Sequence, residues 1–309
     1  MNKIRIRPSK FLTILLLTVF AMTTILISPQ AVEALTVKYS SPVEYSVTTY
    51  EQSSSNLDYQ PTTELVAGRP YTYYTVTASS EETEQKPTVQ EKTIAPDTKY
   101  ATNLYIIESG KPGPVVMIVG GVHGNETAGY LAAEKFRNYS LKKGTLLVLP
   151  QANKLAVGAG KRYAVGESDL NRLFPQSSSS SPSGPLAKDI YNVVKEYKVD
   201  WLMDMHEGFD YYKNSSTSSV GQSLIYYPAK GTISTVEDIV SDLNKGIKTS
   251  LRKFSILRYP VKGSLARSTA EYLGVKSFIF ETSMKQTLSV RVNFQQQAAN
   301  KLLRNLGMY

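Results

Sequence analysis

The sequence predicts an α/β fold, a three-layer α/β/α sandwich with a mixed, mostly parallel sheet. From about position 101 onward, short apolar runs typical of buried strands alternate with amphipathic stretches of helical periodicity. The only two histidines, His123 and His206, both follow such apolar runs. Because ligand sites in open α/β sheets lie at strand ends, these observations together indicate an α/β domain with a site at one edge of its sheet.

The first 34 residues have the pattern of a signal peptide. A basic start is followed by an apolar run over 11–27 and by small residues around Ala31 to Ala34. We expect cleavage after Ala34 and a secreted or cell-surface location. The alternative is an uncleaved membrane anchor, because about 17 apolar residues lie near the lower limit for spanning a bilayer.

Residues 35–97 form a polar N-terminal arm, which we interpret as a linker or pro-segment. Ser, Thr, Glu, Gln and Tyr dominate this stretch, and apolar runs are few. A short strand is expected at 71–77. The catalytic domain is expected to span residues 98–309.

The elements of that domain follow one another in the chain. Strands are expected at 103–108 and 114–119, joined as a hairpin by the turn signal Ser-Gly-Lys-Pro-Gly. Further strands are expected at 145–149, 201–205, 224–227 and 277–281, and helices at 126–139, 185–197, 233–254 and 289–306.

Composition narrows the possible functions. The chain has no cysteine, which excludes disulfides, thiolate metal ligands and a cysteine nucleophile, and leaves His and carboxylates as candidate metal ligands. The formal charge of +9 suits an anionic wall polymer or membrane surface, and it is equally compatible with ordinary solubility. Scattered Lys and Arg in a chain with an export pattern argue against a nucleic-acid partner.

His123, Glu126 and His206 are the candidate metal ligands. Glu126 follows His123 by three residues, so an imidazole and a carboxylate stand within one turn of each other. The second strand-end histidine completes the two-His, one-carboxylate set that catalytic zinc favours, with a fourth position open for water. We therefore expect one zinc ion per chain. Taken alone, a His-x-x-Glu pair is more typical of an ordinary surface histidine than of a metal site, and the second strand-end histidine changes that balance.

A hydrolytic zinc site also needs a base for its water and a cation for the oxyanion. Glu281 ends the apolar run Ser-Phe-Ile-Phe-Glu and is the candidate base, although a carboxylate that caps the next helix would show the same pattern. Asn171 and Arg172 place an amide beside a planar bidentate cation, a pair that suits recognition of a substrate carboxylate.

Four motifs, in order, resemble the zinc metallocarboxypeptidase superfamily, including its succinylglutamate desuccinylase and aspartoacylase group. They are Gly-Gly-Val-His-Gly-Asn-Glu, Asp-Leu-Asn-Arg-Leu-Phe, Asp-Met-His and Phe-Ile-Phe-Glu, and the resemblance covers about position 98 to the C-terminus. It implies zinc ligation by His123, Glu126 and His206. It also implies that Glu281 acts first as general base and then as general acid.

The same resemblance implies roles for five further residues. Asp169 corresponds to a carboxylate that orients a zinc histidine, here His123. Asn171 and Arg172 correspond to a clamp for the substrate carboxylate. Arg162 corresponds to the arginine that polarises the scissile carbonyl, and Tyr259 to a mobile tyrosine that caps the substrate.

The expected function is that of a secreted zinc-dependent amide hydrolase. Only 28 residues follow Glu281, so we do not expect the C-terminal β domain that narrows the aspartoacylase pocket, and we expect an open, carboxypeptidase-like cleft. The expected substrates are peptides, with the stem peptides of cell-wall peptidoglycan as one candidate. The alternatives are an N-acyl amino acid deacylase and a non-catalytic surface-binding protein that retains the fold. No stable membrane partner is expected once the signal peptide is removed.

Overall fold

The chain divides into two compact units, Met1–Thr83 and Glu84–Tyr309. The computed structural model describes residues 13–18, 21–26, 35–38, 57–66, 69–78 and 87–309. The expected cleavage site after Ala34 lies outside the described residues, and the signal peptide stays a prediction. Among the residues that are described, no helix combines the length and apolar character needed to cross a membrane.

Short antiparallel strands make up the described part of the first unit. Strands β1 (Thr13–Thr18) and β2 (Ala21–Leu26) pair with each other. Strands β3 (Leu35–Lys38), β4 (Leu57–Val66) and β5 (Arg69–Ala78) form a separate three-stranded sheet with β5 in the middle. The strand expected at 71–77 lies within β5.

One eight-stranded mixed sheet forms the centre of the second unit. In chain order its strands are β6 (Thr88–Ile94), β7 (Thr102–Glu108), β8 (Val115–Val119), β9 (Thr145–Leu149), β10 (Trp201–Gly208), β11 (Ser223–Tyr226), β12 (Ser255–Arg258) and β13 (Lys276–Ser283). Their order across the sheet is β12-β11-β13-β10-β8-β9-β7-β6. The central strands β13, β10, β8 and β9 are parallel, so their carboxyl ends share one edge of the sheet.

Helices cover both faces of this sheet. They are α1 (Thr127–Glu134), α2 (Lys154–Ala159), α3 (Gly184–Glu196), α4 (Ile233–Lys245), α5 (Leu265–Leu273) and α6 (Leu288–Asn305). One buried apolar cluster joins Val116 and Ile118 of β8 to α1, α4 and α6. A second joins the alternate residues Met117 and Val119 to α3 and α5, because successive side chains of a strand point to opposite faces. The predicted three-layer sandwich is confirmed.

The hairpin expected between 103–108 and 114–119 is wrong. Strand β9 lies between β7 and β8, pairing antiparallel with β7 and parallel with β8. The hairpin partner of β7 is instead β6, which the sequence analysis placed in the polar arm. A turn signal shows where the chain reverses but not which strand it then pairs with, so the local pattern gave no warning. The second unit accordingly begins before residue 98.

Three other differences concern elements with weak apolar patterns. The helix expected over 233–254 ends at Lys245, and the chain then enters β12 after a short 3-10 turn at Ser250–Arg252. Helix α5 was not expected, since its buried face includes the polar residues Ser268 and Thr269. The short helix α2 was likewise not among the expected helices.

Candidate metal centre

The three candidate metal ligands meet at the carboxyl ends of β8 and β10, two adjacent parallel strands. His206 is part of β10, His123 lies in the loop after β8, and Glu126 is the N-cap residue of α1. All three are buried, and each offers a ligand atom within 4.8 Å of the others. The structure therefore brings together the set that the spacing predicts.

The loop that carries His123 and Glu126 depends on glycines. Gly121 has a φ of +67°, a conformation that other residues rarely adopt. A Cβ atom on Gly124 would lie 1.8 Å from the carbonyl oxygen of Ala156. Helix α2 therefore packs directly against the loop backbone, and only glycine fits at position 124.

The donor atoms suit zinc. Nδ1 of His123 lies 2.7 Å from Oε1 of Glu126, and Nδ1 of His206 lies 2.7 Å from Oε2 of the same carboxylate. The two Nδ1 atoms thus face different oxygens of one carboxylate, and all three side chains are buried. Two imidazole nitrogens and one carboxylate oxygen form a common catalytic zinc ligand set.

The opposite nitrogen of each histidine faces a carboxylate. Nε2 of His123 lies 3.0 Å from Oδ1 of Asp169, as the family resemblance implies, and Nε2 of His206 lies 3.1 Å from Oδ2 of Asp204. The contact with Asp169 is a hydrogen bond, and such a bond fixes the tautomer and the orientation of a ligating imidazole. Asp204 lies close to His206 as a buried opposite charge. The sequence analysis missed Asp204, although the signal was present, because residues two apart on a strand share a face.

The charges of the cluster shift the pKa values of its members. Burial raises the pKa of Glu126, but the attraction and hydrogen bonds of His123 and His206 outweigh it and hold that pKa well below its usual range. Burial lowers the pKa of His206, but Asp204 and Glu126 raise it well above its usual value. The ionised carboxylate of Glu126 is ready to bind a cation, whereas His206 must release its proton to ligate one.

Glu281 lies beside this cluster. It is the register partner of His206 on the adjacent parallel strand β13, and 8% of the residue is exposed. Burial raises its pKa to about 8; His206 and Arg162 oppose this shift, while Glu126 and Asp204 add to it. A carboxyl group that holds a proton near neutral pH suits an acid–base role.

Arg162 reaches the cluster through Asp169. Its Nε and Nη2 atoms donate to Oδ2 of Asp169 at 3.1 and 2.9 Å, and its Nη1 lies 3.7 Å from Oε1 of Glu126. The side chain is 44% exposed. It therefore forms part of the rim of the site, where solvent or a ligand can approach the guanidinium.

Asn171 and Arg172 lie in a 3-10 turn that Asp169 caps by accepting from the N–H of Asn171 at 2.9 Å. Asn171 is buried, and its Oδ1 accepts from the N–H of Leu265 at 3.1 Å. Its Nδ2 lies 3.5 Å from Nε2 of His206. Arg172 is exposed and donates from Nη1 to the carbonyl oxygen of Asn171 at 2.8 Å. The two residues are adjacent to the cluster, but the amide oxygen of Asn171 already has a partner in the fold.

Tyr259 is 55% exposed and has a φ of +63°. Its ring centroid lies 5.9 Å from that of Tyr227 and 5.2 Å from Cζ of Arg267. Its neighbours are therefore an aromatic ring and a cation, and its role as a cap stays a prediction.

Comparison with known families supports the interpretation of this site. Residues 112–223 match the model of the succinylglutamate desuccinylase/aspartoacylase catalytic domain. That segment contains the three candidate ligands and Asp169 but precedes Glu281. The resemblance indicated by the motifs is confirmed.

Individual relatives cover only parts of the chain. A probable aspartoacylase from Nostoc sp. is 33% identical over 146 residues, which are 43% of this chain and 46% of the relative. An N-alpha-acetyl-L-2,4-diaminobutyric acid deacetylase from Halomonas elongata is 29% identical over 107 residues, 33% of this chain and 31% of the relative. The chain thus matches less than half the length of either protein.

A solved structure confirms the fold. Helicobacter pylori Csd4, a D,L-carboxypeptidase solved in its mDAP-bound form, superposes with a TM-score of 0.56 at 21% identity. The superposition covers 64% of this chain and 52% of the Csd4 chain. At that identity the likeness extends to the fold alone.

Proposed function

We propose that this protein is a zinc-dependent amide hydrolase, because residues 112–223 match the succinylglutamate desuccinylase/aspartoacylase catalytic domain. The observation that carries the proposal is the convergence of His123, Glu126 and His206, with Glu281 on the neighbouring strand. Three ligands leave a coordination position open, and the fourth residue supplies the acid–base group that hydrolysis needs.

Zinc held by His123, Glu126 and His206 would act as a Lewis acid toward a carbonyl oxygen and would acidify water. Glu281 takes the proton from the attacking water and delivers it to the leaving nitrogen, which makes the amine a good leaving group. Its raised pKa suits the second step, since the protonated form is accessible near neutral pH.

Arg162 and Asp169 form an ion pair, and each member assists this chemistry in a different way. The exposed guanidinium of Arg162 binds the carbonyl oxygen as negative charge develops on it. Asp169 holds both that guanidinium and the imidazole of His123, so it fixes the distance between the cation and the metal site. Asn171 and Arg172 are the candidate residues for binding the carboxylate of the substrate.

We propose a peptide as the substrate, with release of a C-terminal residue and with cell-wall stem peptides of peptidoglycan as a candidate. Two observations support this proposal. The N-terminal sequence has the pattern of a signal peptide, and Arg162, whose side chain is 44% exposed, lies at the rim of the cluster, where a long substrate can reach it. Export is itself part of the proposal, and N-terminal sequencing of the protein recovered outside the producing cells tests cleavage after Ala34.

The second candidate function is deacylation of an N-acyl amino acid. The matches to an aspartoacylase and to a diaminobutyric acid deacetylase favour it. Both reactions cleave an amide bond beside a carboxylate, so the same residues would serve either one. The difference lies in the size of the group on the acyl side.

The experiment that tests the function uses the full chain. Zinc is determined by elemental analysis, and hydrolysis is measured on a peptide, on a mixture of wall stem peptides and on a panel of N-acyl amino acids. Glu281→Gln should keep its zinc and lose hydrolysis by a factor of at least about 10³. Glu237→Gln, which removes an exposed carboxylate of α4, should change neither property.

The outcomes separate the candidates. Release of C-terminal residues supports the carboxypeptidase, and preference for N-acyl amino acids supports the deacylase. A protein that binds no zinc after zinc is supplied, and that hydrolyses none of these substrates, is the non-catalytic surface-binding alternative.

A further inference from the structure

Helix α1 begins without a cap of its own. Its N-cap residue is Glu126, whose side chain makes no capping hydrogen bond. An N-cap side chain ordinarily accepts from one of the first free N–H groups of the helix. Here the carboxylate of Glu126 faces the two histidines instead. The first turn of α1 therefore needs an acceptor from elsewhere in the fold.

Glu207 supplies that acceptor. This residue follows His206 on β10, and its Oε2 accepts from the N–H of Ala128, in the first turn of α1, at 2.8 Å. Its own N–H donates to Oε2 of Glu126 at 3.0 Å. The backbone of Glu207 thus contacts the candidate ligand Glu126. Its side chain contacts helix α1, which begins at that ligand.

Arg291 of α6 balances the charge of Glu207. The Glu207 side chain is 0% exposed, and a buried carboxylate is costly unless it is paired and hydrogen-bonded. Nη1 of Arg291 lies 2.6 Å from Oε1 of Glu207, which also accepts from the hydroxyl of Thr282 at 3.1 Å. Arg291 is itself largely buried, and its Nε donates to the carbonyl oxygen of Gln286 at 3.1 Å.

A second side chain of α6 connects the same helix to the strand ends. Gln295 stands four residues after Arg291, on the same face of the helix. Its Nε2 donates to the carbonyl oxygen of His206 at 2.8 Å, and it lies 3.3 Å from the hydroxyl of Thr282. Helix α6 therefore contacts β10 at the candidate ligand His206. It contacts β13 at Thr282, the residue after Glu281.

We propose that the Glu207–Arg291 ion pair is a positioning device for the metal centre. It holds the start of α1, and with it the carboxylate of Glu126, at a fixed place relative to His206. The affinity for the metal then depends on two residues that do not ligate it. This inference rests on the proposed zinc-dependent function.

The test compares four variants of the full chain with the unaltered protein. Arg291→Met and Arg291→Lys change the cation, and Glu207→Gln removes the negative charge while keeping the size of the side chain. The matched control is Asp238→Asn. Asp238 belongs to α4 and pairs at 2.9 Å with Lys301, which lies on α6 as Arg291 does. The dissociation constant for zinc is measured by competition with a chromophoric chelator, and the melting temperature is measured on the metal-free protein.

We expect Arg291→Met and Glu207→Gln to bind zinc about 10- to 100-fold more weakly, the cost typical of losing a residue that supports a metal ligand. Arg291→Lys should recover a large part of that loss, because it restores the positive charge. Asp238→Asn should keep the affinity of the unaltered protein. With Co²⁺ as probe, the visible absorption of the two weak binders should also shift, reporting altered ligand geometry at full occupancy.

The opposite results are equally clear. If the melting temperatures fall while zinc affinity and the cobalt spectrum stay constant, the pair merely stabilises the fold and the inference is overturned. Should Glu207→Gln fail to fold, the comparison of Arg291→Met with Arg291→Lys decides the matter. If the unaltered protein binds no zinc, the proposed function fails; if it binds zinc and Arg291→Met binds it equally well, only this inference fails.

Discussion

Asp169 contacts a candidate metal ligand with one oxygen and a candidate catalytic cation with the other. Oδ1 faces His123 and Oδ2 accepts from Arg162. Burial raises the pKa of Asp169, but His123 and Arg162 outweigh it and hold the pKa well below its usual range. The side chain is therefore ionised throughout the neutral range, and two functional groups depend on that one charge.

Replacement of this charge should weaken metal binding. In Asp169→Asn the amide cannot serve as an anionic acceptor for both partners, so we expect the zinc dissociation constant to rise about 10- to 100-fold. Asp242→Asn, which removes the exposed partner of Lys245 on α4, is the control. Equal zinc affinity in the two variants would show that Asp169 does not orient His123.

Glu281 makes the metal-free protein sensitive to pH. Its pKa is about 8 in the fold against an ordinary value of 4.5, so between these values the folded state keeps a proton that the unfolded chain has released. The free energy of unfolding should therefore fall as pH rises through this window, by on the order of a few kcal/mol.

Glu281→Gln should remove the part of this pH dependence that Glu281 contributes, while His206, whose pKa is also raised, keeps its own part. Urea unfolding of the metal-free proteins at pH 5 and pH 8.5 measures it, and the variant should gain stability over the unaltered protein only at the higher pH. A constant difference at both pH values would show that the buried carboxyl group does not titrate as described. Glu237→Gln controls for the loss of a carboxylate.

At the scale of elements, the loop that carries His123 and Glu126 packs against α2 with no room for a side chain at Gly124. In Gly124→Ala the new Cβ would overlap the backbone of Ala156, so either the helix or the loop with His123 and Glu126 must move. We expect a loss of about 1–3 kcal/mol in unfolding free energy, as in overpacked cores, together with weaker zinc binding.

Gly158→Ala is the matched control for that substitution. Gly158 belongs to α2, the helix that Gly124 contacts, but a Cβ at this position meets nothing within 4 Å. Since alanine favours helix more than glycine does, this variant should be as stable as the unaltered protein or up to about 1 kcal/mol more stable. If both variants unfold at the same urea concentration, the close contact at Gly124 is not tight in solution.

Elements with a strong apolar pattern could be predicted from the sequence, and polar ones could not. Strand β9 lies where the run at 145–149 predicts it, because every residue after its first is buried. Strand β6 shows the opposite case, as nearly all of its residues are exposed at the sheet edge and no apolar run marks it.

The same contrast holds for the site. His123, His206 and Glu281 could be predicted because each follows or ends an apolar run, and Glu126 because it stands three residues after His123. Glu207 could not, since its partners Ala128 and Arg291 come from helices that are distant in sequence. The sequence shows which residues can ligate a metal, whereas the fold determines which side chains hold them in place.

At the scale of the molecule, metal binding should be coupled to folding. The ligands come from two segments, the loop with His123 and Glu126 and the strand β10 with His206, which meet only in the folded sheet. A metal that binds the native state therefore stabilises it. Chelator treatment should lower the melting temperature, and added zinc should raise it progressively, with about 2.7 kcal/mol gained at 100 times the dissociation constant. Glu126→Gln should respond much less, and an equal response would place the metal elsewhere.

Strand β13 lies between β10 and β11, yet it follows both in the chain. All three candidate ligands are therefore synthesised well before Glu281, the residue proposed to move the proton. A polypeptide synthesised as far as β11 contains all three candidate ligands but not Glu281, and it lacks the strand that pairs with β10. We expect competence to cleave amide bonds to arise only after β13 has been synthesised and has inserted between β10 and β11.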